Sequence, residues 1–176
     1  MASLRYRNIR KRVKELAGQI NAPKNLLPTY GYSIDGAHPH IEIGKNGLLH
    51  YVVIERGHEF KRRTTDNLDE LLYWIFSGVT FTMAGKFELE NRIENKDFRR
   101  ILFKKQEELL SILNESWGQK EHEEHLQILK SHPFDDLAGP RVTYWKELRG
   151  KGYSETEIEK LAYEKFPREL KQNFES

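Results

Sequence analysis

The 176-residue chain contains no cysteine. That absence excludes a disulfide framework, a thiolate-bound zinc or iron–sulfur centre, and a thiol nucleophile. It is compatible with a reducing compartment, and a cytoplasmic location is expected. Long apolar runs are also missing. The longest uncharged stretch, residues 71–85, covers about 22 Å as a helix, against about 30 Å of hydrocarbon in a bilayer. With Ser77, Gly78, Thr80 and Thr82 inside it, it reads as a buried core element, and no membrane partner is expected. The opening MASLRYRNIRKRVKEL lacks the apolar centre of a signal peptide. Without export, the sequon Asn114-Glu115-Ser116 has no use.

Net charge is nearly absent too, at +2, but the charges are unevenly placed. Residues 1–25 hold seven basic groups against Glu15, a balance of +6. Residues 106–136 hold Glu107, Glu108, Glu115, Glu121, Glu123, Glu124, Asp135 and Asp136 against Lys120 and Lys130, a balance of −6. Such poles bear on partner choice.

What is present is well patterned. Ile9, Val13, Leu16 and Ile20 recur at helical spacing, predicting an amphipathic helix over residues 3–20 with a basic outer face. Short segments rich in Ile, Val, Tyr and Phe follow at Tyr30–Ile34, Pro39–Ile43, Leu48–Glu55 and Glu59–Thr64. Asp35-Gly36, Asn46-Gly47 and Arg56-Gly57 separate them as turns, so an antiparallel meander is expected. Thr64, Thr65 or Asp66 is positioned to cap a helix from about Asn67 through Phe76. Val79–Ala84 fits either a helical extension or a strand. A long helix begins near Asp97, with a break expected at Gly118 and another helix over Gln119–Lys130. Pro133 and Gly139-Pro140 mark a boundary. Ser154 and Glu157 have capping-box spacing for a last helix. Helix, then strands, then helices describes one α+β domain over residues 1–176: a small antiparallel meander packed against several helices.

Chemical motifs are sparse. His122, His125 and His132 stand among acids, and two histidines three apart share a helical face. Yet H-E-E-H is not a zincin pattern, and spacing fixes no third ligand; the ordinary reading is a solvated helix face, with no metal. Asp35, His38 and His40 share a turn and could serve acid–base work, but no nucleophile accompanies them. No phosphate loop, dinucleotide fingerprint or cofactor motif is found, so no catalytic or cofactor-binding residue is assigned. The basic helix at 3–20 keeps a nucleic-acid-binding regulator as the alternative function, through counterion release from phosphate. Glu55-Arg56-Gly57 ends an apolar strand and Asp97-Phe98-Arg99-Arg100 opens an apolar helix. Glu55, Arg56, Asp97, Arg99 and Arg100 are expected to form a structural charged network, with Arg100 reaching Glu55.

These residues also carry a resemblance. Glu55-Arg56-Gly57, Thr65 with Leu71-Leu72-Tyr73 and Ile75-Phe76, Ala84, Arg92, and Asp97 through Phe103 with Gln106 and Leu109-Leu110 together resemble the immunity protein 63 family of bacterial polymorphic toxin systems. The resemblance covers roughly residues 27–136, leaving the basic N-terminal helix and the tail after Pro140 as appendages. It implies a non-enzymatic antitoxin that binds and occludes a cognate toxin domain, and fixes neither the toxin nor the oligomeric state. Steering by opposite charge speeds such encounters. On that ground Glu107, Glu108, Glu115, Glu121, Glu123, Glu124, Asp135 and Asp136 are the expected toxin-binding residues.

Overall fold

A computed structural model describes residues 2–168. The first helix, α1 (Ala2–Gln19), buries Ile9, Val13, Leu16 and Ala17, with Ile20 just beyond its end. This is the apolar stripe expected of an amphipathic helix. The helix is tied to the sheet by polar contacts. The Tyr6 hydroxyl accepts from the Ile43 amide at 3.1 Å, and Arg5 Nη1 donates to the Gly47 carbonyl at 2.9 Å.

The four strands are β1 (Thr29–Tyr30), β2 (Pro39–Ile43), β3 (Leu49–Glu55) and β4 (His58–Thr65), laid side by side in chain order. β2, β3 and β4 are antiparallel, with Ile41 opposite Tyr51 and Tyr51 opposite Arg63. β1 departs from the expected meander: it is two residues long and runs parallel to β2. The chain leaves the sheet at Gly31 (φ 80°) and folds back through Asp35, Gly36 and Ala37, all at positive φ, before re-entering. Tyr32 and Ile34 are therefore exposed loop residues. Alternation places Ile41, Leu49, Tyr51 and Val53 on the inner face, where they join the main core.

Against that face lies α2 (Leu68–Glu90). Its cap is Asn67, whose side chain accepts from the Asp69 amide, while Thr65 Oγ1 accepts from Asn67 itself. Val79–Ala84 belongs to this helix. It is packed on two sides, with Leu71, Ile75 and Val79 among its buried residues. That explains an apolar character extending nearly all round.

The next two helices, α3 (Arg99–Leu113) and α4 (Glu115–Ser131), part at Asn114, not at Gly118. Asn114 is extended (φ −164°); its amide donates to the Leu110 carbonyl and its side chain accepts from the Ser116 amide. One residue thus ends one helix and begins the next. Gly118 lies inside α4, where the two helices touch. A Cβ there would sit 1.9 Å from Ser111 Oγ, 2.9 Å from Ser111 Cβ and 3.1 Å from the Glu107 carbonyl. The glycine marks a close approach, not an end. Trp117 Nε1 donates to Asp69 Oδ2 at 3.0 Å, fixing the start of α4 to the start of α2.

The last pair is α5 (Ala138–Gly150) and α6 (Glu155–Lys165). Gly139-Pro140 falls in the first turn of α5, where a missing amide proton leaves no helical bond unmade. The Ser154–Glu157 capping box is present.

Gly118→Ala should cost about 1–3 kcal/mol by overpacking the α3–α4 crossing, read by urea unfolding. Adding Ser111→Gly should recover part of that loss, because both Ser111 atoms are then removed, while the Glu107 carbonyl stays and the new helix-interior glycine costs about 0.5–1 kcal/mol. Unchanged stability of the single variant would show that the crossing is looser than described.

Candidate partner-binding surfaces

The eight acids of residues 106–136 divide into two groups. Glu121 is buried, with Oε2 accepting from the Tyr73 hydroxyl and Oε1 from Gln106 Nε2, each at 2.9 Å. Burial and this bond together push the Tyr73 hydroxyl well above the usual tyrosine range. Glu107 is half-buried and contacts both histidines, His125 Nδ1 at 2.6 Å and His122 Nδ1 at 3.1 Å. His125 is buried, stacked 3.8 Å from the Phe103 ring centroid. The histidine pair therefore belongs to an interhelical network. Among the described residues no group of three or more His, Asp or Glu side chains is placed to hold a metal. His132 stands apart, its Nδ1 on Ser131 Oγ.

Asp135 and Asp136 also face inward, onto the charged cluster at the start of α3. Asp136 accepts from Lys96 Nζ, the Asp97 amide and Arg100 Nε, each at 2.9 Å. Asp97 accepts from Arg99 and from the Asp135 amide, while Arg99 also donates to the carbonyls of His132 and Pro133. Arg141 joins α5 to this node through Asp135 at 2.7 Å and the Phe166 carbonyl at 2.8 Å. Arg100 and the Asp97 amide hold the Asp136 carboxyl well below its ordinary range. Burial opposes the same shift at Asp97, where Arg99 and two backbone amides outweigh it. Asp97, Arg99 and Arg100 are thus gathered together. Glu55 and Arg56 are not among them: both are exposed at the β3–β4 turn, with Arg56 at φ 52°. The carboxylate that Arg100 reaches is Asp136.

Four acids of the expected toxin-binding set remain exposed: Glu108, Glu115, Glu123 and Glu124. Glu107, Glu121, Asp135 and Asp136 are engaged within the fold, so the acidic pole is weaker at the surface than in the sequence. The histidines at 38 and 40 take separate partners. His38 Nε2 meets the Leu27 carbonyl and buried His40 meets Glu42, while Asp35 is exposed.

Two exposed features escaped the sequence analysis. β4 is an edge strand with residues 58–64 all exposed, including Phe60 at 77%. Beside it, α2 leaves uncovered a stripe at helical spacing: Gly78, Phe81 and Leu89, starting from half-buried Trp74 under the Arg63 guanidinium. Apolar residues all round α2 hid this stripe, since no periodicity separated the covered face from the open one.

Residues 45–127 match the family model for Immunity protein 63. The matched segment runs from the β2–β3 turn to within four residues of the end of α4. It holds the Glu121 network, β4 and the open face of α2, and leaves α1, α5 and α6 outside. No curated protein and no solved structure matches the chain. The segment that matches the family model has a consistent internal logic. Tyr73 and Gln106 hold Glu121, Arg92 holds buried Glu88 at 2.7 Å, and Thr65 prepares the α2 cap. The residues that carry the family resemblance thus include many that hold the scaffold together.

Glu121→Ala should lose about 1–3 kcal/mol, because Tyr73 and Gln106 are left without their buried acceptor. Glu123→Ala and Glu124→Ala should stay within about 0.5 kcal/mol of the parent. Urea unfolding at neutral pH separates the two classes, and equal losses would remove the distinction. The depressed Asp97 and Asp136 carboxyls add a pH dependence. Their contribution is complete above the unfolded value of about 3.9 and fades as pH falls through their lower folded values. Asp136→Asn should be less stable than the parent at pH 7. The gap should begin to narrow below the unfolded value of about 3.9 and keep closing as pH falls toward the lower folded value; a gap that stays constant as pH is lowered through that range would refute the assignment.

Proposed function

We propose that this protein is an immunity protein that binds a cognate bacterial toxin domain in the cytoplasm and neutralises it by occlusion, without catalysis. The observation that carries this reading is the Immunity protein 63 match over residues 45–127. The organisation of the matched segment supports it. Tyr73, Gln106, Glu107, Glu121 and His125 are turned to one another across α2, α3 and α4, as in a rigid scaffold. A neutraliser must capture its toxin quickly and hold it, which favours a preformed surface over one that orders on binding. Glu108, Glu115, Glu123 and Glu124 are the acids available to steer a basic toxin surface.

The basic helix α1 supports the nucleic-acid alternative less well. Its inner side chains are committed to the core, Arg10 lies 4.9 Å from the Tyr30 ring centroid, and Arg12 pairs with Glu15.

Co-expression with the C-terminal toxin domain encoded beside this chain should restore growth to cells that the toxin alone arrests, and the two proteins should co-purify. Failure of both rescue and co-purification would overturn the immunity reading. Replacing Glu108, Glu115, Glu123 and Glu124 together with Gln should slow association roughly threefold to tenfold at low salt. No change in association rate would place the steering elsewhere.

A further inference from the structure

β4 ends the sheet, and among the described residues no strand or helix lies along its outer edge. It is eight residues long, longer than the usual strand. Proteins commonly blunt such an edge by keeping it short, placing proline or charge in it, bulging it or covering it. This strand carries one irregularity and three consecutive cations, of which Arg62 is already neutralised by carboxylates. This strand has no proline and presents an exposed Phe60, the residue left unpaired by an irregularity in the β3–β4 register. An aromatic side chain at 77% exposure does not protect an edge.

The charges on the strand are not equivalent. Arg62 is engaged by Glu59 at 2.7 Å and by Glu42 at 2.8 Å. Lys61 and Arg63, on the opposite face, have no carboxylate within ion-pair distance among the described residues. Partial burial and the neighbouring Arg63 hold Lys61 below the ordinary lysine range. Two cations two residues apart project on the same side of the sheet. That is the side of α2, where Arg63 covers Trp74 and the stripe of Gly78, Phe81 and Leu89 begins.

We propose that the outer edge of β4 receives an extended acidic segment of the toxin domain as an added strand. The segment carries carboxylates at alternate positions to meet Lys61 and Arg63, and an apolar residue against Phe60. This deepens the immunity reading and rests on it. Main-chain bonds along the edge supply affinity, and the alternating side chains supply selectivity. The same charges argue against a second copy of this chain as occupant. Two β4 strands paired antiparallel about residues 61–63 would set cations opposite cations, which is destabilising. An acidic strand relieves the Lys61–Arg63 repulsion that self-pairing would increase.

The test uses the full chain and an inactivated form of the toxin domain from the rescue experiment. Complex formation should slow hydrogen exchange at amides within residues 58–65. Lys61→Glu combined with Arg63→Glu should weaken binding by at least about 30-fold, as expected for charge pairs lost at an interface centre, with the fold retained by circular dichroism. Lys61→Glu alone, which leaves the Arg63–Trp74 contact in place, should also weaken binding with an unchanged melting temperature. Phe60→Ala should weaken it by about tenfold. A tight complex that leaves 58–65 unprotected, or a double variant binding within twofold of the parent, overturns the edge proposal and leaves the immunity reading intact. Concentration-dependent protection of 58–65 without toxin would identify a second copy as the occupant and overturn it too. Absence of any complex with the parent chain, together with absent rescue, overturns both.

Discussion

Glu121 is the residue on which the helical half depends. Its two oxygens bind Tyr73 on α2 and Gln106 on α3, and its own helix is α4. Three helices are thus brought to one carboxylate away from water. A buried charge is costly unless its partners are complete, so the arrangement tolerates few alternatives. Apolar contacts alone would let the helices slide by small amounts with little penalty. A carboxylate with two directed donors admits one register. Trp117 adds a second fixed point through Asp69, at the other end of the same crossing.

From that constraint the division of labour follows. The polar side chains buried between α2, α3 and α4 are largely occupied with one another, Gln106 Oε1 excepted, and the uncommitted side chains lie on the outside. The outside is not uniform. On the α3–α4 side, exposed acids are interspersed with lysines. On the sheet side, an outer edge with no neighbouring strand, an exposed aromatic and two cations with no acidic partner among the described residues lie together. The second surface has an unmet demand for hydrogen bonds and for negative charge, and the first has neither to the same degree.

Much of this architecture was legible in the sequence. The amphipathic stripe of α1, the turns around β2, β3 and β4 and the capping box of α6 all rest on local rules, and each is seen. The differences arise where tertiary contact overrides a local preference. Gly118 looked like a helix break because glycine weakens helices; it is retained inside one because Ser111 leaves no room for a side chain. Asn114 did not stand out as a boundary, since a single residue capping in both directions has no separate signature. Residues 30–34 had strand composition, but the strand stops at Tyr30, where Gly31 turns the chain at positive φ. The acidic pole was countable, yet counting could not separate Glu123, which faces water, from Glu121, two residues earlier and buried. That distinction needed the positions of Tyr73 and Gln106, 48 and 15 residues away.

The mode of attachment of α5 and α6 has a consequence for the dynamics of the molecule. Their closest packing is with each other, with Leu148, Ile158 and Ala162 buried. Their hold on the remainder runs through Asp135, Arg141 and the Asp97 node, a polar hinge region rather than an apolar seam. Such a pair is free to open as a cooperative unit at lower free energy than the body it leaves. Opening would part Arg141 from Asp135, while Lys96, Asp97, Arg99 and Arg100 keep residues 132–136 fastened to the start of α3.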